Sequence, residues 1–75
     1  MPSPDALKSL LLTAFPGAAV HVEDLTGTQD HFKAEVVTSA FAGKTRVEQH
    51  RMVYAALGDL MKGPVHALAL TTRTP

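Results

Sequence analysis

The sequence predicts a two-layer α+β domain in the order α-β-β-α-β, with a three-stranded mixed sheet. Three observations predict it: an apolar stripe with helical spacing near the N-terminus, two short alternating runs joined by a glycine-containing turn, and a second helical stripe followed by one further apolar run. With 75 residues, the chain has the size of one small domain, so residues 1–75 are expected to fold as a single unit.

The first helix is predicted to begin at Ser3–Asp5, where serine can cap the helix, proline suits its first position and aspartate complements its dipole. Four apolar residues follow at the spacing i, i+3, i+4, i+7: Leu7, Leu10, Leu11 and Ala14. Pro16-Gly17 predicts the end of the helix, which we interpret as a cover for the core.

The next two runs, Ala18–Leu25 and His31–Thr38, predict a β-hairpin with its turn at Thr26–Asp30. Alternation places small or apolar residues on one face of these strands: Ala18, Val20 and Val22 in the first, and Phe32, Ala34 and Val36 in the second. His31 is the point at which the turn becomes strand.

A second helix is predicted from a capping box at Thr45–Glu48. It follows a turn that Phe41 anchors and in which Gly43 supplies backbone freedom. Its apolar stripe is Val53, Ala56, Leu57 and Leu60, with His50 one turn earlier. Lys62, Gly63 and Pro64 predict its end.

The third strand is predicted at Val65–Thr72, with His66, Leu68 and Leu70 on one face and Val65, Ala67 and Ala69 on the other. Because both faces are mostly apolar, we expect this strand inside the sheet or covered on both sides. If it runs parallel to the second strand, the intervening helix is a right-handed crossover.

Composition excludes several classes of function. Seven basic and seven acidic residues give a net charge of zero, which argues against a strong sequence-independent grip on nucleic acid or an anionic membrane. The absence of cysteine excludes a disulfide, a thiolate metal site within the chain and a cysteine nucleophile. Ser39 has no histidine near it in sequence and no nucleophile-elbow pattern, so no catalytic residue and no enzyme is predicted. Without a visible signal peptide or membrane span, the cytoplasm is the expected location.

Histidine is the soft metal ligand that the chain offers. His31 and His66 both lie where a loop becomes a strand, but two histidines are an incomplete site, so a second chain or a small thiol would have to supply the rest. The alternative is a capped or solvated role for each. His50 is interpreted as a core-edge histidine bonded to backbone, and His21 as solvated.

Lys44, Arg46 and Arg51 form a candidate basic cluster, and Lys44 and Arg46 flank a helix start that could hold a phosphate. No aromatic residues interleave with them, and no glycine-rich phosphate loop is present. A solvated helix face is the competing interpretation.

Five segments resemble the BolA family at family spacing: Asp30–Phe32, Val36–Lys44, Gln49–Tyr54, Val65–Leu68 and Thr72–Pro75. The resemblance implies a fold related to the type II K-homology domain. It also implies pairing with a monothiol glutaredoxin and a bridging 2Fe–2S cluster, with glutaredoxin and glutathione each supplying a thiolate. It implies that His66 is one of the cluster's ligands. The family's second ligand comes from the loop near Thr28, where this chain has no cysteine, so His31 is the default candidate.

The predicted function is therefore that of a BolA-like partner of monothiol glutaredoxin, acting in iron–sulfur trafficking or in iron, redox or stress regulation. The alternative implied by the resemblance is a DNA-binding transcriptional regulator that uses Phe41–Arg51, with Lys44, Arg46 and Arg51 as contacts. A metal-free protein adaptor is a third interpretation, and a weak homodimer is left open as well.

Overall fold

The computed structural model describes residues 3–25, 31–58 and 67–75. The predicted element order is confirmed, with one short 3₁₀ helix added between the second strand and the second helix. The elements are α1 (Pro4–Ala14), β1 (Ala19–Asp24), β2 (His31–Val37), the 3₁₀ helix (Ser39–Phe41), α2 (Arg46–Leu57) and β3 (Ala67–Arg73).

The three strands form one mixed sheet in the order β1-β2-β3. β1 and β2 pair antiparallel from Ala19 opposite Val37 to Asp24 opposite Phe32. β2 and β3 pair parallel from His31 opposite Ala67 onwards. The hairpin and the parallel third strand are thus confirmed; the predicted turn at 26–30 lies outside the described residues.

The expectation that the third strand is interior or covered on both sides is wrong. β3 lies at an edge of the sheet, with Leu68 and Leu70 packed against the core and Ala69 exposed on the other face. Alanine makes the sequence look apolar on both faces, but its side chain has so little area that exposing it costs little.

α1 begins as predicted, because the Ser3 hydroxyl accepts a hydrogen bond from the backbone N–H of Ala6 at 3.1 Å. Leu7 and Leu11 are buried, and the stripe continues to Phe15 just beyond the helix. Leu10 is 40% exposed, so its predicted place in the buried stripe is wrong. A helix packed along one edge buries a narrower stripe than the full amphipathic pattern provides.

The core lies between the helices and the sheet. β2 contributes most to it, since three alternate residues of this central strand are buried: Phe32, Ala34 and Val36. Val53 and Leu57 are the residues that α2 buries in this core. Phe41, 1% exposed, packs edge to face on Phe15 with ring centroids 5.4 Å apart, which confirms its predicted anchoring role.

The capping box at the start of α2 is confirmed in both directions. The Glu48 backbone N–H donates to the Thr45 hydroxyl at 3.2 Å, and the Thr45 N–H donates to the Glu48 carboxylate at 3.0 Å. The predicted end is wrong, because α2 stops at Leu57 with Gly58 as its cap at φ +57°. Glycine disfavours the helix interior and adopts the left-handed region readily, so the chain stops at this earlier glycine.

Some sequence predictions fall outside the described residues: Leu60, the Lys62–Pro64 stop, Val65 and His66. Within residues 3–25, 31–58 and 67–75, no helix has the length and hydropathy that a membrane crossing requires.

Candidate functional site

His31 is the first residue of β2, and its side chain is exposed. Its partner in the parallel register is Ala67, the first residue of β3. Ala67 directly follows His66 in the sequence, although His66 itself lies outside the described residues. The structure therefore brings one predicted ligand to the immediate sequence neighbour of the other, at the edge where β2 and β3 both begin. We call this the strand-start edge.

Alternation along the strands adds a constraint on this pair. Phe32 of β2 is buried on the helix side, so the preceding residue, His31, belongs to the outer face of the sheet. Leu68 and Leu70 are on the helix side, and the sequence pattern predicts His66 on the same face as they are. A ligand shared by both histidines would therefore have to approach the ends of the strands rather than one face of the sheet.

The described ranges contain no group of three or more histidine, cysteine, aspartate or glutamate side chains that could hold a metal ion. His31 is thus not part of a complete metal centre there. Imidazole is a suitable ligand for iron, and the exposed position of His31 leaves it accessible to a second molecule.

The two remaining histidines differ from each other. His21 is exposed as predicted, and its Nε2 lies 2.9 Å from the Glu23 carboxylate. That hydrogen bond, together with the nearby charges of His21 and Lys33, lowers the pKa of Glu23. The sequence pattern missed this pair, although i, i+2 spacing on one strand face is the signal for it.

His50 is half-buried on α2, as predicted, and its ring meets that of Tyr54 in a T-shaped contact with centroids 6.3 Å apart. The predicted hydrogen bond from His50 to backbone is not found among the described residues. His50 instead lines a cavity.

Two members of the predicted basic cluster point to different sides of α2. Lys44, Arg46 and Arg51 are all exposed, but five residues turn a helix by about 500°, so Arg51 points roughly 140° away from Arg46. Glu48 shares the outer side of the helix with Arg51. Its pKa is lowered first by the hydrogen bond from the Thr45 backbone N–H, and to a smaller degree by the charges of Lys44 and Arg51.

The cavity between α2 and β3 has a volume of about 230 Å³. Its lining residues are Arg46, His50, Leu70, Thr71 and Thr72. Gln49 fixes one wall, because its carbonyl accepts a hydrogen bond from the Thr72 hydroxyl at 2.7 Å while its amide donates to the Lys44 carbonyl at 3.0 Å. Sequence reasoning missed this cavity. The i, i+4 spacing of Arg46 and His50 could have indicated that they share a helix face, but nothing local indicates that β3 lies opposite.

Comparison with known proteins shows which family the chain resembles. A family model described as BolA-like protein matches residues 16–75. The bovine BolA-like protein 1 is 49% identical over 49 residues, which are 65% of this chain and 36% of that protein. An Escherichia coli protein named DNA-binding transcriptional regulator BolA is 42% identical over 48 residues, covering 64% of this chain and 46% of its own length.

The match to the bovine relative thus spans about a third of that protein's length. Among solved structures, a bolA protein homologue from Coxiella burnetii superposes with a TM-score of 0.82 at 36% identity. That superposition covers 100% of this chain and 94% of the Coxiella chain.

Proposed function

The chain belongs to the BolA family, and on that premise we propose that it partners a monothiol glutaredoxin and contributes His66 and His31 to a 2Fe–2S cluster bridging the two proteins. Its role would be iron–sulfur trafficking or iron and redox regulation in the cytoplasm. The observation that carries the proposal is the parallel register, which pairs His31 with the residue that follows His66.

That register supports a shared ligand because neighbouring strands lie about 4.8 Å apart and one peptide unit spans about 3.8 Å. His31 and Ala67 both belong to the strand-start edge, at which His31 is exposed. The chain has no cysteine, so the thiolates for a cluster would come from glutaredoxin and glutathione. When bound, a cluster with imidazole in place of thiolate carries less negative charge and has a higher reduction potential.

The test is reconstitution of the cluster from the full chain, a monothiol glutaredoxin, glutathione, ferrous iron and sulfide, followed by visible absorption and circular dichroism. His66→Ala and His31→Ala are each expected to change the visible spectrum of the complex. His21→Ala is the matched control, since it removes an exposed histidine from β1 rather than from the strand-start edge. If both ligand variants give the wild-type spectrum, these histidines do not bind iron.

A second measurement separates the cluster from a metal-free adaptor. Glutaredoxin binding is measured by calorimetry before and after removal of iron with a chelator. The proposal expects binding to weaken at least tenfold without iron, whereas an adaptor that needs no metal would bind equally well. Far-UV circular dichroism of each variant checks that the chain remains folded.

Nucleic-acid binding is the second candidate, favoured by the name of the Escherichia coli relative and by the exposure of Lys44, Arg46 and Arg51. It predicts a duplex-DNA affinity that falls steeply with salt. Replacing one phosphate-contacting cation by glutamine should reduce the slope of log K against log salt by about 0.9. Absent or salt-independent binding would refute it. The neutral net charge and the separation of Arg46 from Arg51 rank this function second.

A further inference from the structure

We infer that the cavity between α2 and β3 binds the phosphate group of a small molecule. The cavity is distinct from the strand-start edge, because the β3 residues that line it lie three to five residues along the strand from Ala67, a separation of roughly 10–16 Å at about 3.3 Å per residue. Phosphate binding therefore goes beyond the proposed cluster, and either one can fail without the other.

The side chains around the cavity favour an anion. Among its described lining residues are an arginine and a histidine, which can carry positive charge, but no aspartate or glutamate. Within the described residues, Arg46 makes no ion pair. The nearest helix carboxylate in sequence, Glu48, is engaged by the N–H of Thr45 in the capping box. Arg46 thus brings a positive charge that forms no ion pair within the described part of the chain.

Phosphate matches this set of groups. A guanidinium can donate two parallel hydrogen bonds to phosphate oxygens, and an imidazole N–H can supply a further donor. The volume of about 230 Å³ lies below the range usual for drug-sized ligands, so the cavity has room for a phosphate and a short attached group.

The walls are fixed before any ligand arrives. The Thr72 hydroxyl is held by Gln49, and Gln49 is held in turn by the carbonyl of Lys44. His50 is packed against the Tyr54 ring one helical turn further along. Preorganised walls reduce the entropy lost on binding, which favours measurable affinity even for a small anion.

The experiment titrates the ¹⁵N-labelled full chain, free of iron and glutaredoxin, and follows amide chemical shifts. The probes are inorganic phosphate and glycerol 2-phosphate, with acetate and potassium chloride at the same ionic strength. We expect saturable shifts at the amides of Arg46, His50, Thr71 and Thr72 with a millimolar Kd for phosphate, and no saturation with chloride. Tighter binding of the ester would identify an organic phosphate as the ligand, and tighter binding of inorganic phosphate would identify the free ion.

Two variants test whether phosphate binding depends on the cavity or only on the positive charge near the start of α2. Arg46→Gln is expected to weaken phosphate binding at least fivefold. Lys44→Gln removes the same charge two residues earlier, but Lys44 does not line the cavity, so its effect should stay below twofold.

Equal loss in both variants would overturn the inference, as would equal shifts with acetate and phosphate. Binding of a DNA oligonucleotide by a chain that binds neither phosphate probe would also overturn it. If Arg46→Gln does not fold, the wild-type comparison of phosphate with acetate still decides the question.

Discussion

The contact between Phe41 and Phe15 offers a quantitative test of how the second helix is anchored. The two rings meet at an interplanar angle of 61°, and Phe41 is 1% exposed. Replacing Phe41 with leucine keeps an apolar side chain but removes the edge-to-face pair. Conservative core swaps cost less than about 1.5 kcal/mol, and an aromatic pair contributes about 0.5–1.5 kcal/mol. We therefore expect Phe41→Leu to lower the free energy of unfolding by about 1–2 kcal/mol.

A loss of this size is measurable in a chain of this length. At about 0.05–0.15 kcal/mol per residue, 75 residues correspond to an unfolding free energy of roughly 4–11 kcal/mol. The chain has no tryptophan, so urea unfolding is best followed by far-UV circular dichroism. With an m-value of about 1 kcal/mol per molar urea, the midpoint should fall by about 1–2 M.

A double-mutant cycle isolates the pair itself. Phe41→Leu, Phe15→Leu and the double variant should give a coupling energy of about 0.5–1.5 kcal/mol. Phe32 is equally buried but its ring does not pair with that of Phe41 within the described residues, so Phe32→Leu combined with Phe41→Leu is the matched control. A coupling below about 0.3 kcal/mol, or equal couplings in the two cycles, would refute the role assigned to the aromatic contact.

Four further predictions concern α2 and its surroundings. Thr45→Ala should lower the unfolding free energy by about 1 kcal/mol in urea melts, because it removes the hydroxyl that caps the helix. The pKa of Glu48 is lowered from 4.5 on folding, so its ionised form stabilises the fold above that pH. This stabilisation is lost as pH falls through the lower folded-state pKa; acid melts of Glu48→Gln should therefore show a weaker pH dependence below about pH 4.5. Thr72→Val should cost about 1 kcal/mol, since the Gln49 carbonyl loses its donor, and a cost near zero would argue against that hydrogen bond. Gly43→Ala should cost about 1 kcal/mol through backbone strain alone, because φ is +75° and nothing lies within 4 Å of the added methyl; an unchanged melt would contradict that φ.

Local signals predicted most of the fold. Ser3 and the Thr45–Glu48 box fix helix starts through hydrogen bonds over three residues. In β2, the alternation of apolar and polar residues in the sequence matches the alternation of buried and exposed side chains. The errors arose where two signals competed. Gly58 and the Lys62–Pro64 stretch both signal a helix end, and the apolar stripe reaching Leu60 favoured the later one.

The candidate site shows why local sequence patterns do not predict which residues meet in the tertiary structure. His31 could be located at a strand start from sequence, but its pairing with Ala67 depends on the register of a parallel pair separated by a whole helix. Likewise, Arg46 and Thr72 lie 26 positions apart and meet only because α2 packs across β3. Which cation faces the cavity is decided by the rotation of α2, and that rotation is set by the burial of Val53 and Leu57.

Both inferred sites involve β3, and their separation is the distance along this strand. The strand begins at the strand-start edge and lines the cavity three to five residues later, roughly 10–16 Å away. The Debye length at physiological salt is about 8 Å, so a phosphate held beside Arg46 would be largely screened from a charge at His31. Occupancy of the cavity should therefore leave the visible spectrum of a reconstituted cluster unchanged. A spectral shift on adding phosphate would mean that the two sites are coupled through the packing of α2 on β3 rather than through charge.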